Sequence, residues 1–150
     1  MRPTDRVSVT TVVAADAATA FALFTTEIDA WWRRDSRHQL GPSEGRLRFE
    51  GGRLLQGDFE VGKVLAWEPG ARLAFEWRNQ AFAPGERTEV EIRFEPEKAG
   101  TRLTLVHRGW DSLPRGHKAR HGLTGTEFES IVGCWWADLF VSLAAYAARR

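Results

Sequence analysis

The sequence predicts an α+β fold: a curved antiparallel sheet with two short helices after its first strand, wrapped around one long C-terminal helix. Three observations carry this. Residues 47–107 alternate apolar and polar side chains, the period of half-buried strands. Residues 125–150 repeat apolar side chains at helical spacing. A meander with one apolar and one charged face must have the apolar face covered, and the closing helix supplies the cover.

The elements follow in order. Residues 7–13 are rich in β-branched side chains and form a strand. Asp16 caps a helix from Ala17 to about Phe24. Thr26 with Asp29 starts a second short helix that runs into Trp31 and Trp32. Gly41, Pro42, Ser43 and Gly45 mark a turn. Leu47 and Phe49 alternate with Arg46, Arg48 and Glu50, and Gly51-Gly52 leads by a hairpin into residues 53–55. Phe59, Val61, Leu65 and Trp67 share parity and are expected on one face of the next strand. After Pro69-Gly70, Leu73, Phe75 and Trp77 form one face. Residues 79–86 are a loop. Val90, Ile92 and Phe94, then Leu103, Leu105 and His107, continue the inner face on two further strands. Residues 108–125 are a long polar connection of a length that is often functional. Thr126 and Glu129 make a capping box. The helix, expected over about 127–148, shows Phe128, Ile131, Val132, Trp135, Leu139, Leu143 and Tyr146 on one stripe. Trp136, Phe140 and Ala144 widen it, and Arg149 and Arg150 suit the negative end of the helix dipole.

A chain of 150 residues is most simply one domain, 1–150. A formal charge of +1 and a pI near 8.0 give no global attraction to nucleic acid or to a membrane surface. Glu and Arg interleave along the strands, so no basic stripe for nucleic acid exists. The single Cys134 excludes an internal disulfide framework and suits a reducing compartment. Beside Trp135 it is expected as a packed, inert thiol. The first ten residues lack an apolar signal core, and no run approaches a membrane-spanning length. No membrane insertion and a cytoplasmic location are the expectations.

Chemistry is sparse. Seven Trp and nine Phe stand against one Tyr, which suits either a bulky core or an aromatic-lined pocket. The ligand-binding residues expected in a cavity between sheet and helix are Trp32, Phe49, Phe59, Phe75, Trp77, Phe94, Trp110, Phe128, Trp135 and Trp136. His107 shares parity with Leu103 and Leu105, so its imidazole should face inward, to position a ligand's polar end or act as acid or base. The bland alternative is a bonded core histidine. His117 and His121 have the i, i+4 spacing of a metal pair, but no Cys or carboxylate accompanies them, and no metal site is expected. With Arg108, Arg115, Lys118 and Arg120 they suit a basic rim that attracts anions, or a solvated loop. There is no phosphate loop and no nucleophile elbow. Asp58 with Glu60, and Glu89 with Glu91, sit on the outer strand face. No catalytic residue and no cofactor are assigned.

Several segments carry a resemblance. Residues 14–21 resemble the first-strand-to-helix segment of the SRPBCC (START/Bet v I-like) superfamily. Ile28-Asp29-Ala30-Trp31-Trp32 resembles its second-helix Trp signature. Residues 62–69 with 72–77 resemble its central hairpin, residues 101–110 its last strand, and residues 133–143 with Trp136 its closing helix. The subgroup this chain is most similar to is that of heat-shock-chaperone ATPase activator homologues. The resemblance implies the helix-grip fold and a hydrophobic cavity between sheet and helix. It thereby implies a binding protein for a small hydrophobic or amphipathic molecule. The alternatives are a cyclase, dehydratase or hydrolase using the same cavity, and a co-chaperone acting through its surface. Chaperone interaction is disfavoured, because activators of that kind carry a separate N-terminal domain.

Overall fold

The computed structural model describes residues 6–114, 117–120, 123 and 125–150. The strands are β1 (Val7–Val13), β2 (Leu47–Glu50), β3 (Arg53–Gln56), β4 (Phe59–Glu68), β5 (Arg72–Trp77), β6 (Thr88–Glu97) and β7 (Gly100–Arg108). They form one antiparallel sheet in the order β1-β7-β6-β5-β4-β3-β2. Successive hairpins thus lie side by side, and the first strand returns to pair with the last. Helices α1 (Ala17–Phe24) and α2 (Ile28–Trp31) fill the connection from β1 to β2, and α3 (Gly125–Arg149) closes the chain. This is the α+β helix-grip arrangement that the strand periodicity and the closing stripe predict.

Local chemistry explains the elements. The Asp16 carboxylate accepts the Thr19 N–H at 2.8 Å and caps α1. Thr26 does not start α2; its hydroxyl donates back to the Ala22 carbonyl at the end of α1. Asp29 accepts the Leu47 N–H at 2.8 Å, tying α2 to the start of β2. Across the sheet Val9, Leu105, Ile92 and Leu73 form one row, and Val7, His107, Val90 and Phe75 form the next. Leu105, Ile92, Leu73 and Phe75 are buried. On the opposite face Glu91 faces Arg72, Arg93 and Arg108. Burial alone would raise its carboxyl; the three guanidiniums outweigh that and hold it low.

β4 departs from simple parity. Its register shifts once against β3, between Leu54 and Leu55, and once against β5, between Val64 and Ala66. Each bulge inserts one residue and reverses which face follows. Val61 is therefore buried, whereas Leu65 is 50% exposed. Trp67 sits at the sheet rim, leaning edge-on against Phe21 and Phe49. Gly62 lies between the two bulges. A Cβ there would stand 1.7 Å from the Glu76 carbonyl oxygen, so only glycine lets β5 approach this closely.

Helix α3 begins at Gly125, so Thr126 falls inside the first turn and not at the cap. Phe128, Val132, Trp136, Leu139, Phe140 and Leu143 are buried, while Ile131 and Val141 are exposed. By length and composition α3 could cross a membrane. Its stripe instead packs on β1, α1 and α2, which makes it the core helix of the fold. Tyr146 and Arg150 fasten its end to Glu27.

Candidate ligand pocket

A cavity of about 480 Å³ opens between α3, the ends of β5 and β7, and the two loops at residues 36–39 and 79–81. Its wall is aromatic: Trp77, His107, Trp110, Trp135 and Trp136, with Val132 and Ala119. Its rim is polar, with Arg37, Gln39, Asn79 and Gln80. Ile131, 49% exposed, and Cys134 line the α3 side of the mouth. Cys134 is exposed, not packed as the sequence suggests. The helical phase that turns Trp136 fully inward leaves position 134 on the outer side.

The wall is held by directional bonds. Trp77 ends β5, and its ring lies 5.0 Å from the His107 ring and 5.8 Å from Trp110. Trp110 follows Gly109, whose φ of +94° turns the chain out of β7. Arg120 holds Trp110 from behind. It is buried, donates to the Trp110 carbonyl at 2.7 Å and lies 4.7 Å over the Phe128 ring. The Trp135 indole donates to the Arg37 carbonyl at 2.7 Å. His38, fully buried, sits between Asp35 Oδ1 at 2.7 Å and the Trp135 carbonyl at 3.1 Å. Each ring nitrogen thus has a partner within hydrogen-bond distance. Burial would raise the Asp35 carboxyl; its bonds and charge contact with His38 prevail and hold it low. These contacts clamp residues 36–39 onto α3, and the Gln80 N–H donates to the Leu40 carbonyl at 2.8 Å to bring in the second loop.

His107 is inward and 1% exposed. Its Nδ1 accepts the Trp136 indole N–H at 3.0 Å. That fixes the remaining proton on Nε2, which donates to Thr88 Oγ1 at 2.7 Å. Thr88 in turn donates to the Trp77 carbonyl at 3.0 Å. Burial pushes the imidazole down to about 3, so it is neutral near pH 7. Both nitrogens are engaged by the protein, and the ring meets the cavity as a flat wall. Two other polar atoms of the wall are different. The indole N–H groups of Trp77 and Trp110 are buried and have no hydrogen-bond acceptor among the described residues.

The structure brings together five of the eleven sequence-predicted residues: Trp77, His107, Trp110, Trp135 and Trp136. Trp32 stands one layer behind, 5.9 Å from Trp135 and 6.0 Å from Trp136, and Phe128 packs behind Trp110 at 5.0 Å. Phe49, Phe59, Phe75 and Phe94 do not line this cavity. Phe49 packs on Phe75, Phe94 packs on Phe21 of α1, and Phe59 lies under Arg78. Phe75 and Phe94 are thus packed core, and Phe49 and Phe59 are partly buried against it. Sequence reasoning missed the rim residues Arg37, Gln39, Asn79 and Gln80, which lie in loops without periodicity.

Of the residues that could have formed a basic rim or a solvated loop, three have partners elsewhere. Arg120 is inside the core, Arg108 pairs with Glu89 and Glu91 on the outer face, and His117 bonds Glu86 at 2.7 Å. Arg115 and His121, and with the latter the histidine pair, lie outside the described residues. Among the described residues no three metal-ligating side chains converge. A second, more open depression of about 520 Å³ lies elsewhere, lined by Arg6, Glu76, Arg87, Glu89 and Arg108. Within it Arg87 pairs with Glu76 and Arg108 with Glu89, and no apolar side chain lines it.

The sequence model of the Activator of Hsp90 ATPase homolog 1-like protein family matches residues 14–145. The chain belongs to that family. No curated protein matches it. Among solved structures, CalU16 from Micromonospora echinospora is 20% identical, with a TM-score of 0.61, over 94% of this chain and 73% of that one. An AHSA1-like protein from Rhizobium etli is 24% identical, with a TM-score of 0.59, over 97% of this chain and 82% of its own. Aha1 from Colwellia psychrerythraea, solved as a dimer in solution, is 18% identical, with a TM-score of 0.57, over 93% and 92%. At these identities the likeness shows the fold alone.

Proposed function

We propose that this member of the Activator of Hsp90 ATPase homolog 1-like family binds a small apolar or amphipathic molecule between α3 and the sheet. The observation that carries the reading is the aromatic-walled cavity of about 480 Å³ with a polar rim. Its size and lining are those of small-molecule sites, where apolar walls supply affinity and a few polar groups set orientation. The half-exposed Ile131 at the mouth suits entry of an apolar body. An acid–base enzyme in the same cavity is less well supported, because His107, the imidazole that lines the cavity among the described residues, is neutral and bonded on both sides. The family's name points to a chaperone-ATPase activator, yet the most specific feature of this chain is a pocket, and we place its function there.

Calorimetric titration with a panel of polycyclic and amphipathic small molecules tests this. At least one should bind saturably, and Ile131→Trp at the mouth should weaken it severalfold while leaving the melting temperature unchanged. Saturable binding that Ile131→Trp does not affect would place the site elsewhere.

A further inference from the structure

Two buried donors without acceptors point to the chemistry of the bound molecule. Trp77 and Trp110 are 4% and 2% exposed, and both line the cavity. Their rings are neighbours, with centroids 5.8 Å apart. Each indole N–H is withdrawn from solvent and has no acceptor among the described residues. The contrast with the rest of the wall is informative. The indoles of Trp135 and Trp136, and that of Trp32 behind them, each donate to a protein acceptor. His107 offers nothing to a ligand, because Trp136 and Thr88 occupy its nitrogens. The donors left over in the wall are therefore those of Trp77 and Trp110. An unsatisfied buried donor is costly, and a partner that supplies an acceptor recovers that cost.

Resting on the binding function proposed above, we infer that the ligand is an uncharged, flat polycyclic molecule bearing a carbonyl oxygen, which accepts from the indole N–H groups of Trp77 and Trp110. One sp² oxygen carries two lone pairs and can accept from two neighbouring donors. The flat body is suggested by the aromatic lining of Trp77, Trp110, Trp135 and Trp136, which suits a planar ring system. The lack of charge follows from the neutral His107 and from Arg37, whose guanidinium is paired with Asp138 at 2.7 Å. Because both N–H groups are closed off from solvent, a small ring rotation accompanies binding. Such side-chain adjustment at a site is common.

The test compares 9-fluorenone with fluorene, which share a ring skeleton and differ by one carbonyl. Dissociation constants come from equilibrium dialysis, and the indole N–H resonances are followed by ¹⁵N NMR. Wild-type protein should bind the ketone at least threefold to tenfold more tightly, the range of one or more neutral hydrogen bonds. The Trp77 and Trp110 indole protons should move downfield with the ketone and not with the hydrocarbon. Trp77→Phe and Trp110→Phe should each reduce the preference, read as the ratio of the two dissociation constants in the same variant. Equal affinity for both probes in the wild type, with neither indole proton moving downfield, would overturn this inference and leave the pocket reading standing. Binding of neither probe would overturn both. The wild-type comparison decides the matter even if a variant does not fold.

Discussion

Burial holds the His107 imidazole neutral, lowering its pKa from 6.5 to about 3. In the unfolded chain the same ring titrates near 6.5. Above that pH neither state binds the proton, and the stability is at its full value. As the pH falls from about 6.5 towards 3, the unfolded state takes up a proton that the folded state refuses. Stability then falls, by up to about 1.4 kcal/mol per pH unit from this one group. Urea unfolding followed from pH 7 to pH 4 should show this loss. His107→Phe removes the titrating group, so the acid slope should flatten by close to one proton. At pH 7 the same variant should cost about 1–3 kcal/mol, because the buried Trp136 indole N–H loses its acceptor. An unchanged acid slope in the variant would mean that His107 is not the buried neutral group described here. The inward direction of His107 was legible in strand parity. Its bonded partners were not, because Thr88 and Trp136 lie 19 and 29 residues away in sequence, and no local pattern joins them.

At the scale of elements, β4 and α3 decide how the pocket end of the fold is built. Gly62 lets β5 pass within 1.7 Å of where a Cβ would sit. Gly62→Ala should therefore displace the β4–β5 pair and destabilise by about 1–3 kcal/mol or more, as overpacking does. Chemical denaturation checks this; a change below 0.5 kcal/mol, the size of an ordinary surface substitution, would refute the close approach. On α3 the two adjacent tryptophans should differ. Trp136 is fully buried, and Trp136→Ala should cost about 3–5 kcal/mol. Trp135 faces the cavity and is only half-buried, so Trp135→Ala should cost less, since a cavity wall has fewer packed neighbours to lose. The reverse ranking in thermal unfolding would contradict the placement of the cavity. The strands and α3 were legible because their periods differ, two against 3.6. The parity of Leu65 was not legible, because two bulges interrupt β4 and only pairing with neighbouring strands reveals a bulge.

At the scale of the molecule, the sheet grips α3 from one side, and the two ends of that contact differ. Near α1 the space is filled by Phe21, Phe24 and Phe94; near Trp110 it stays open. Composition announced the aromatic excess but not its division between packed core and pocket wall, which depends on where α1 lies across the sheet. That division is the central claim, and the seven tryptophans are built-in reporters of it. The most direct measurement is a ¹⁵N spectrum of the seven indole N–H groups, assigned by single Trp→Phe variants and titrated with 9-fluorenone. The resonances of Trp77, Trp110, Trp135 and Trp136 should shift together and saturate at one equivalent, while Trp31 and Trp67 stay fixed. Shifts confined to Trp67, or no shift in any of the four, would contradict a ligand pocket beneath α3.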